Sequence, residues 1–128
     1  VIQHPLPTAA RCYKLGKAIR KAVEAYDEDF TVAIFGTGGM SHQLSGERFG
    51  HLNSEFDEWF LDQLEGDAEA LIKMTHQELM ERAGVEAVEL IMWLVMRGAM
   101  SEEVSRLHRN YYVPMTTGMG LITLEDAT

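Results

Sequence analysis

A run of six residues without a charge, Phe30-Thr31-Val32-Ala33-Ile34-Phe35, passes directly into Gly36-Thr37-Gly38-Gly39. This junction limits the folds open to the chain more than any other stretch. β-Branched and aromatic residues favour extended backbone. Apolar side chains on both alternating faces predict a buried strand, central and parallel in its sheet. The glycines allow a sharp turn at the carboxyl end of that strand, the edge where open α/β sheets place their reactive groups. His42 lies just beyond, in Gly38-Gly39-Met40-Ser41-His42-Gln43.

Around the junction the pattern is mostly helical. Val1 to Thr8 holds two of the three prolines and reads as an extended lead-in. Thr8 caps a helix to about Tyr26, in which Leu15, Ile19, Ala22, Val23 and Tyr26 recur at helical spacing. A polar loop covers Ser45 to Leu52. Asn53 or Ser54 caps a helix from Glu55 to Leu64 with Phe56, Trp59 and Phe60 turned inward, and Asp67 caps another with Leu71 and Met74. Thr75 and Glu78 form a capping box for a helix to Ala83, which Gly84 ends. An apolar helix follows from Val85 to about Ala99, and Ser101 caps a short helix with Val104 and Leu107. Tyr111–Val113 and Leu121–Leu124 read as two short strands about the turn from Pro114 to Gly120. The expected fold class is α/β, with a mixed or parallel sheet flanked by helices. No domain boundary interrupts residues 1–128, which read as the C-terminal portion of a single catalytic α/β domain.

Bulk properties exclude several classes. The 128 residues carry a net charge of −9, which argues against a nucleic-acid-binding face and against attraction to anionic lipid. The single cysteine, Cys12, excludes an internal disulfide and fits a reducing, cytoplasmic compartment. The longest apolar run, Leu90 to Met96, is too short to span a membrane. A start at Val1 without an initiator Met suggests a piece of a longer protein or a processed chain.

Two residues stand out chemically. Glu89 sits within Val85-Glu86-Ala87-Val88-Glu89-Leu90-Ile91-Met92-Trp93, where an ionised carboxylate is costly unless something positive meets it. It is either a metal ligand in an apolar wall or a rim carboxylate, solvated or paired with Arg82 or Arg97. Glu86, one turn earlier, either supports it or faces water. His42 is either a proton carrier, a role suited to an imidazole near neutral pH, or a merely hydrogen-bonded residue. Ser41 beside it does not stand in a G-x-S-x-G elbow, and the glycine turn matches neither G-x-G-x-x-G nor a P-loop. His4, His51, His76 and His108 read as structural or surface residues. The eight methionines read as core filler. There is no H-E-x-x-H and no cysteine cluster for a self-contained zinc site.

Several blocks taken together carry a resemblance. They are Pro5-Leu6-Pro7, Arg11-Cys12-Tyr13-Lys14-Leu15-Gly16, Gly36-Thr37-Gly38-Gly39-Met40-Ser41-His42-Gln43, Gly46-Glu47-Arg48, Gly84-Val85-Glu86-Ala87-Val88-Glu89 with Met92-Trp93-Leu94, and His108-Arg109-Asn110-Tyr111-Tyr112-Val113-Pro114. In this order the chain resembles the C-terminal half of the class III extradiol ring-cleaving dioxygenases, of the protocatechuate 4,5-dioxygenase β-subunit and gallate dioxygenase type. The resemblance implies a non-haem Fe(II) held by two histidines and a glutamate, with open positions left for substrate and O2. Glu89 matches the glutamate ligand and His42 the acid/base histidine. The two histidine ligands have no counterpart in this chain. Thr116 and Thr117 match a region of the substrate pocket. The expected reaction is extradiol cleavage of protocatechuate, with gallate or methylgallate as the alternative. From another class, the alternative is a non-catalytic α/β interaction module. The implied partners are a catechol-type aromatic acid and O2, with a small α subunit or a second copy of the chain left open.

Overall fold

The structure is a computed structural model and describes residues 4–127. Its helices, in order, are α1 (Ala9–Glu24), α2 (Ser54–Glu65), α3 (Glu69–Ile72), α4 (His76–Ala83), a 3₁₀ helix (Glu86–Leu90) and α5 (Ile91–Gly98). Two strands follow, β1 (Val104–Tyr112) and β2 (Met119–Asp126), paired antiparallel from Val104↔Asp126 to Tyr112↔Met119 with an irregularity between Arg106 and His108. The fold is mixed α/β. Among the described residues the sheet is antiparallel and two-stranded, rather than the larger mixed or parallel sheet expected. The lead-in over residues 1–8 lies partly outside the described residues.

Local signals place most helices. Thr8 Oγ1 accepts from Arg11 N at 3.1 Å to start α1, Asn53 Oδ1 accepts from Phe56 N at 3.0 Å to start α2, and Thr75 Oγ1 accepts from Glu78 N at 3.1 Å to start α4. Asp67 Oδ1 accepts from Glu69 N at 3.0 Å at the head of α3. The face of α1 differs from the expected one. Ala9, Cys12 and Gly16 are buried, whereas Leu15 and Tyr26 are exposed. The first turn of the expected apolar helix is tighter than an α-helix, so Glu86–Leu90 forms the 3₁₀ segment and α5 begins only at Ile91.

Two further expectations are corrected. Residues 30–35 form no strand and are largely exposed, with Phe35 84% accessible. A strand exists only when a neighbour accepts its backbone groups, and no described residue does so here. The helix expected after Ser101 is β1 instead. Some of its polar side chains reach α2. Arg109 bonds Asp62 at 2.7 Å and Glu65 at 2.9 Å and also pairs with Glu58, which fastens β1 to the acidic side of α2.

The core lies where α2, the 3₁₀ helix and α5 meet, and includes Phe56, Phe60, Leu61, Leu64, Leu90, Ile91 and Leu94. Each such side chain contributes about 1.5–3 kcal/mol by leaving water. Met40, fully buried, anchors the glycine turn to this core. Arg97 is also buried. Its guanidinium donates to the carbonyls of Leu64, Gly66, Ser101 and Glu102 at 2.7–2.8 Å, which ties the end of α2 to the entry of β1.

Candidate active site

The glycine turn is held on two sides. Met40 N donates to Gly118 O at 2.8 Å, Gly118 N donates to Ser41 O at 2.9 Å, and His42 pairs with Thr117 in an antiparallel bridge. From the other side His42 N donates to Ala83 O at 2.8 Å, at the end of α4. Gly84 makes this approach possible. Its φ is 105°, and a Cβ there would lie 2.1 Å from the His42 carbonyl oxygen.

The His42 ring is buried, and its Nδ1 lies 2.6 Å from Met40 O. A carbonyl only accepts, so this contact assigns the proton of the neutral ring to Nδ1. Nε2 is then the basic nitrogen. It lies 3.7 Å from Glu89 Oε1, close enough for charge to matter and too long for a direct hydrogen bond.

Glu89 reaches this point from the 3₁₀ helix. Its Oε1 accepts from Gly39 N at 2.7 Å, and its side chain keeps about a third of its accessibility (32%). Gly38, at φ 136°, passes so close that a Cβ would lie 2.9 Å from Glu89 Cγ. Neither arginine considered as a partner reaches Glu89. Arg82 lies 4.6 Å from the ring centres of Phe56 and Trp59, and Arg97 is committed to its four carbonyls. Glu89 is therefore a half-open carboxylate beside an imidazole and carries no cation among the described residues. Glu86 does not simply face water: its Oε2 is buried without a hydrogen-bond partner among the described residues.

Thr117 stands next to this pair. Its backbone bridges to His42, and its Cγ2 lies 3.0 Å from where a Gly39 Cβ would be. Thr116 is half-buried, and no hydrogen bond ties its side chain to His42 or Glu89. The other histidines are elsewhere. His51 Nε2 lies 3.0 Å from Arg82 O, His76 Nε2 lies 2.7 Å from Pro7 O, and His4 and His108 are exposed. Among the described residues no three His, Cys, Asp or Glu side chains converge as a metal site. No helix is long and apolar enough to cross a membrane among the residues searched.

Sequence reasoning missed a buried polar hub behind the turn. Asp57 is fully buried and accepts from Ser41 N at 2.9 Å, Ser41 Oγ at 2.6 Å and Tyr111 Oη at 2.5 Å. Ser41 Oγ also accepts from Asn53 N at 2.9 Å. The hydroxyl is thus spent on structure, consistent with the missing nucleophile elbow. Burial pushes the Asp57 carboxyl above its ordinary range despite the bonds from Ser41 and Tyr111. Burial, with the hydrogen bond to Asp57, pushes the Tyr111 phenol up to about 12. One signal was available: Asp57 falls on the inward stripe shared by Phe60, Leu61 and Leu64, where an unpartnered carboxylate would be costly.

Comparison with known proteins bears on this geometry. The family model described as the catalytic LigB subunit of aromatic ring-opening dioxygenase matches residues 1–122. Gallate dioxygenase of Pseudomonas putida is 51% identical over 126 residues, which is 98% of this chain and 37% of that protein. The chain therefore spans little more than a third of the length of this relative.

Proposed function

The chain belongs to the family of catalytic LigB subunits of aromatic ring-opening dioxygenases, and we propose that it carries the carboxylate ligand and the proton-transfer histidine of an extradiol gallate dioxygenase. The observation that carries this reading is the 3.7 Å approach of His42 Nε2 to Glu89 Oε1. Gallate is preferred to protocatechuate, the substrate expected from sequence, because it is the substrate named for the 51% identical relative.

The donor set fits ferrous iron in part. Glu89 offers a hard oxygen donor, a third exposed and without a cation, as a mixed histidine–carboxylate iron site requires. One carboxylate does not make a site, so the reading requires two nitrogen donors from polypeptide beyond the described residues. Bound there, Fe(II) would supply the redox chemistry that joins a catechol-type ring to O2.

The residues of this chain have separate tasks. Glu89 is held in place, because Gly39 N–H binds one oxygen and leaves the other free to face a ligand. His42 presents an unprotonated Nε2 toward the same space, where it accepts a proton from a ring hydroxyl and later returns one. Its own orientation is set by the Met40 carbonyl. Thr117 borders the imidazole and suits contact with the aromatic substrate. Thr116 is assigned to the same pocket wall on the strength of the family resemblance.

The test is oxygen uptake by a full-length dioxygenase carrying this segment, loaded anaerobically with Fe(II) and offered gallate or protocatechuate. Faster ring opening of gallate supports the reading. A preference for protocatechuate would move the substrate, and iron-independent or absent turnover would remove the reading altogether.

A further inference from the structure

The turn from Gly39 to Gln43 grips the 3₁₀ helix near both of its ends. At the far end Gly39 N donates to Glu89 Oε1 at 2.7 Å. The base of the helix is Gly84 and Val85, whose carbonyls accept from Ala87 N at 3.2 Å and Val88 N at 3.4 Å. Two bonds bracket this base. His42 N donates to Ala83 O at 2.8 Å on one side of Gly84, and on the other Gln43 Oε1 accepts from Val85 N at 3.3 Å. Gln43 is buried, and its Nε2 donates to Ser45 O at 3.0 Å. One end of the amide therefore meets a donor and the other an acceptor, which settles which atom is the oxygen.

We infer that Gln43 is a positioning residue: its Oε1 holds the base of the 3₁₀ helix against the turn and so sets where Glu89 stands relative to His42. The first amides of a helix have no acceptor inside it. No side chain of the helix's own leading residue caps this one, and Gln43 Oε1 is the acceptor that Val85 N–H finds. The tie is also short. Gln43 is the chain neighbour of the imidazole, and Val85 lies about one turn before the carboxylate. A displaced Val85 therefore carries Glu89 away from Gly39 N–H and changes its 3.7 Å approach to His42 Nε2.

A role in closing the loop after the turn does not need this side chain. That loop is closed by main-chain bonds, from Gly50 N to Gln43 O at 2.8 Å and from Phe49 N to Gly46 O at 3.2 Å, which any residue at position 43 keeps. The amide oxygen is left for Val85. The inference rests on the proposed metal role of Glu89, and its test separates the two.

The protein for the test is a chimaera in which this chain replaces the matching stretch of the Pseudomonas putida gallate dioxygenase. Gln43→Met keeps the length of the side chain and deletes the acceptor. Gln43→Glu keeps an acceptor oxygen and deletes the amide donor to Ser45. Thr8→Ala, which removes the cap of α1, reports the effect of lost stability alone. In iron-free protein the Val85 amide should exchange about 3–10-fold faster in Gln43→Met, the factor for one hydrogen bond. Anaerobic Fe(II) titration should show about 10–100-fold weaker binding in the same variant, the scale for a residue that orients a ligand. Gln43→Glu should bind Fe(II) like the parent, and so should Thr8→Ala despite a lower unfolding midpoint. Should Gln43→Met not fold, Gln43→Asn, which draws the amide back by one methylene, takes its place with the same expectations. Parent-like Fe(II) affinity in the variant without the acceptor would overturn this inference alone. So would an equal loss in Gln43→Glu or in Thr8→Ala. A parent that binds no Fe(II) would overturn the proposed reaction and this inference together.

Discussion

Asp57 holds Ser41 twice, through the backbone N–H at 2.9 Å and the hydroxyl at 2.6 Å, and so fixes the residue that precedes His42. The clamp has a pH signature. Burial raises the carboxyl above its ordinary value of 3.8. A carboxyl raised in the folded state binds its proton more tightly there than in the unfolded chain. Its contribution to stability is therefore complete below the ordinary value and is lost as pH rises through the raised one. Asp57→Asn removes this titration. The stability advantage of the parent over the variant should shrink as pH increases from 3.8 upward, read from urea midpoints at successive pH values. An advantage that grows with pH would show that the three donors outweigh burial.

Tyr111 supplies the third bond to Asp57, from β1, at 2.5 Å. Tyr111→Phe keeps the ring and deletes the donor. A hydrogen bond to a charged or partly charged group is worth about 1.5–3 kcal/mol, and this loss should appear as a lower unfolding midpoint. Because the bond runs through Ser41 to the His42 turn, the full-length enzyme should also lose turnover while keeping its iron. An unchanged midpoint would mean that water replaces the phenol.

Glu89 is the test of the metal assignment. Glu89→Ala removes the one carboxylate that, among the described residues, lies beside His42 Nε2 with a free oxygen. Iron content of the purified full-length enzyme should fall by an order of magnitude or more, about the scale on which ligand and supporting contacts act. Full occupancy in the variant would assign the ion to other residues.

His42 should behave differently. It is hydrogen-bonded through Nδ1 and holds no proton on Nε2 in the neutral ring, so its removal spares the ligand set. His42→Ala should retain iron and lose about 10²–10⁴-fold in turnover, the range for a positioned acid/base group. Loss of iron along with activity would instead make the imidazole part of the metal site.

The contrast between local and distant determinants explains what could be read from the sequence. Helix α4 is legible because Thr75 and Gly84 bracket it through contacts within a few residues. The segment Phe30–Phe35 is not, because strand formation depends on a partner, and the alternation of residues is silent about whether one is near. At β1, Val104 and Leu107 fit a helical period, while Arg109 and Tyr111 reach α2 from a strand, and pairing with β2 decides the outcome. His42 and Glu89 were singled out separately by turn position and by charge in an apolar context. Their meeting at 3.7 Å depends on two close backbone passes at Gly38 and Gly84, which spacing alone does not encode.

Those two glycines give the last prediction. At Gly84 an alanine would meet two costs. Its φ of 105° lies where L-residues are strained, and its Cβ would sit 2.1 Å from His42 O, with backbone rather than a flexible side chain as the obstacle. Backbone strain of this kind costs about 1–3 kcal/mol before any clash is relieved, so Gly84→Ala should lower the unfolding midpoint clearly. Gly38→Ala is strained in the same way at φ 136°, but its Cβ meets the Glu89 side chain at 2.9 Å and not backbone, and that side chain can move. Relief there takes the carboxylate away from Gly39 N–H. Gly38→Ala should therefore weaken iron binding more than Gly84→Ala for the same loss of stability, as read by metal titration beside urea unfolding. Equal effects on the two readouts would mean that the glycines serve the turn alone and that neither sets the position of Glu89.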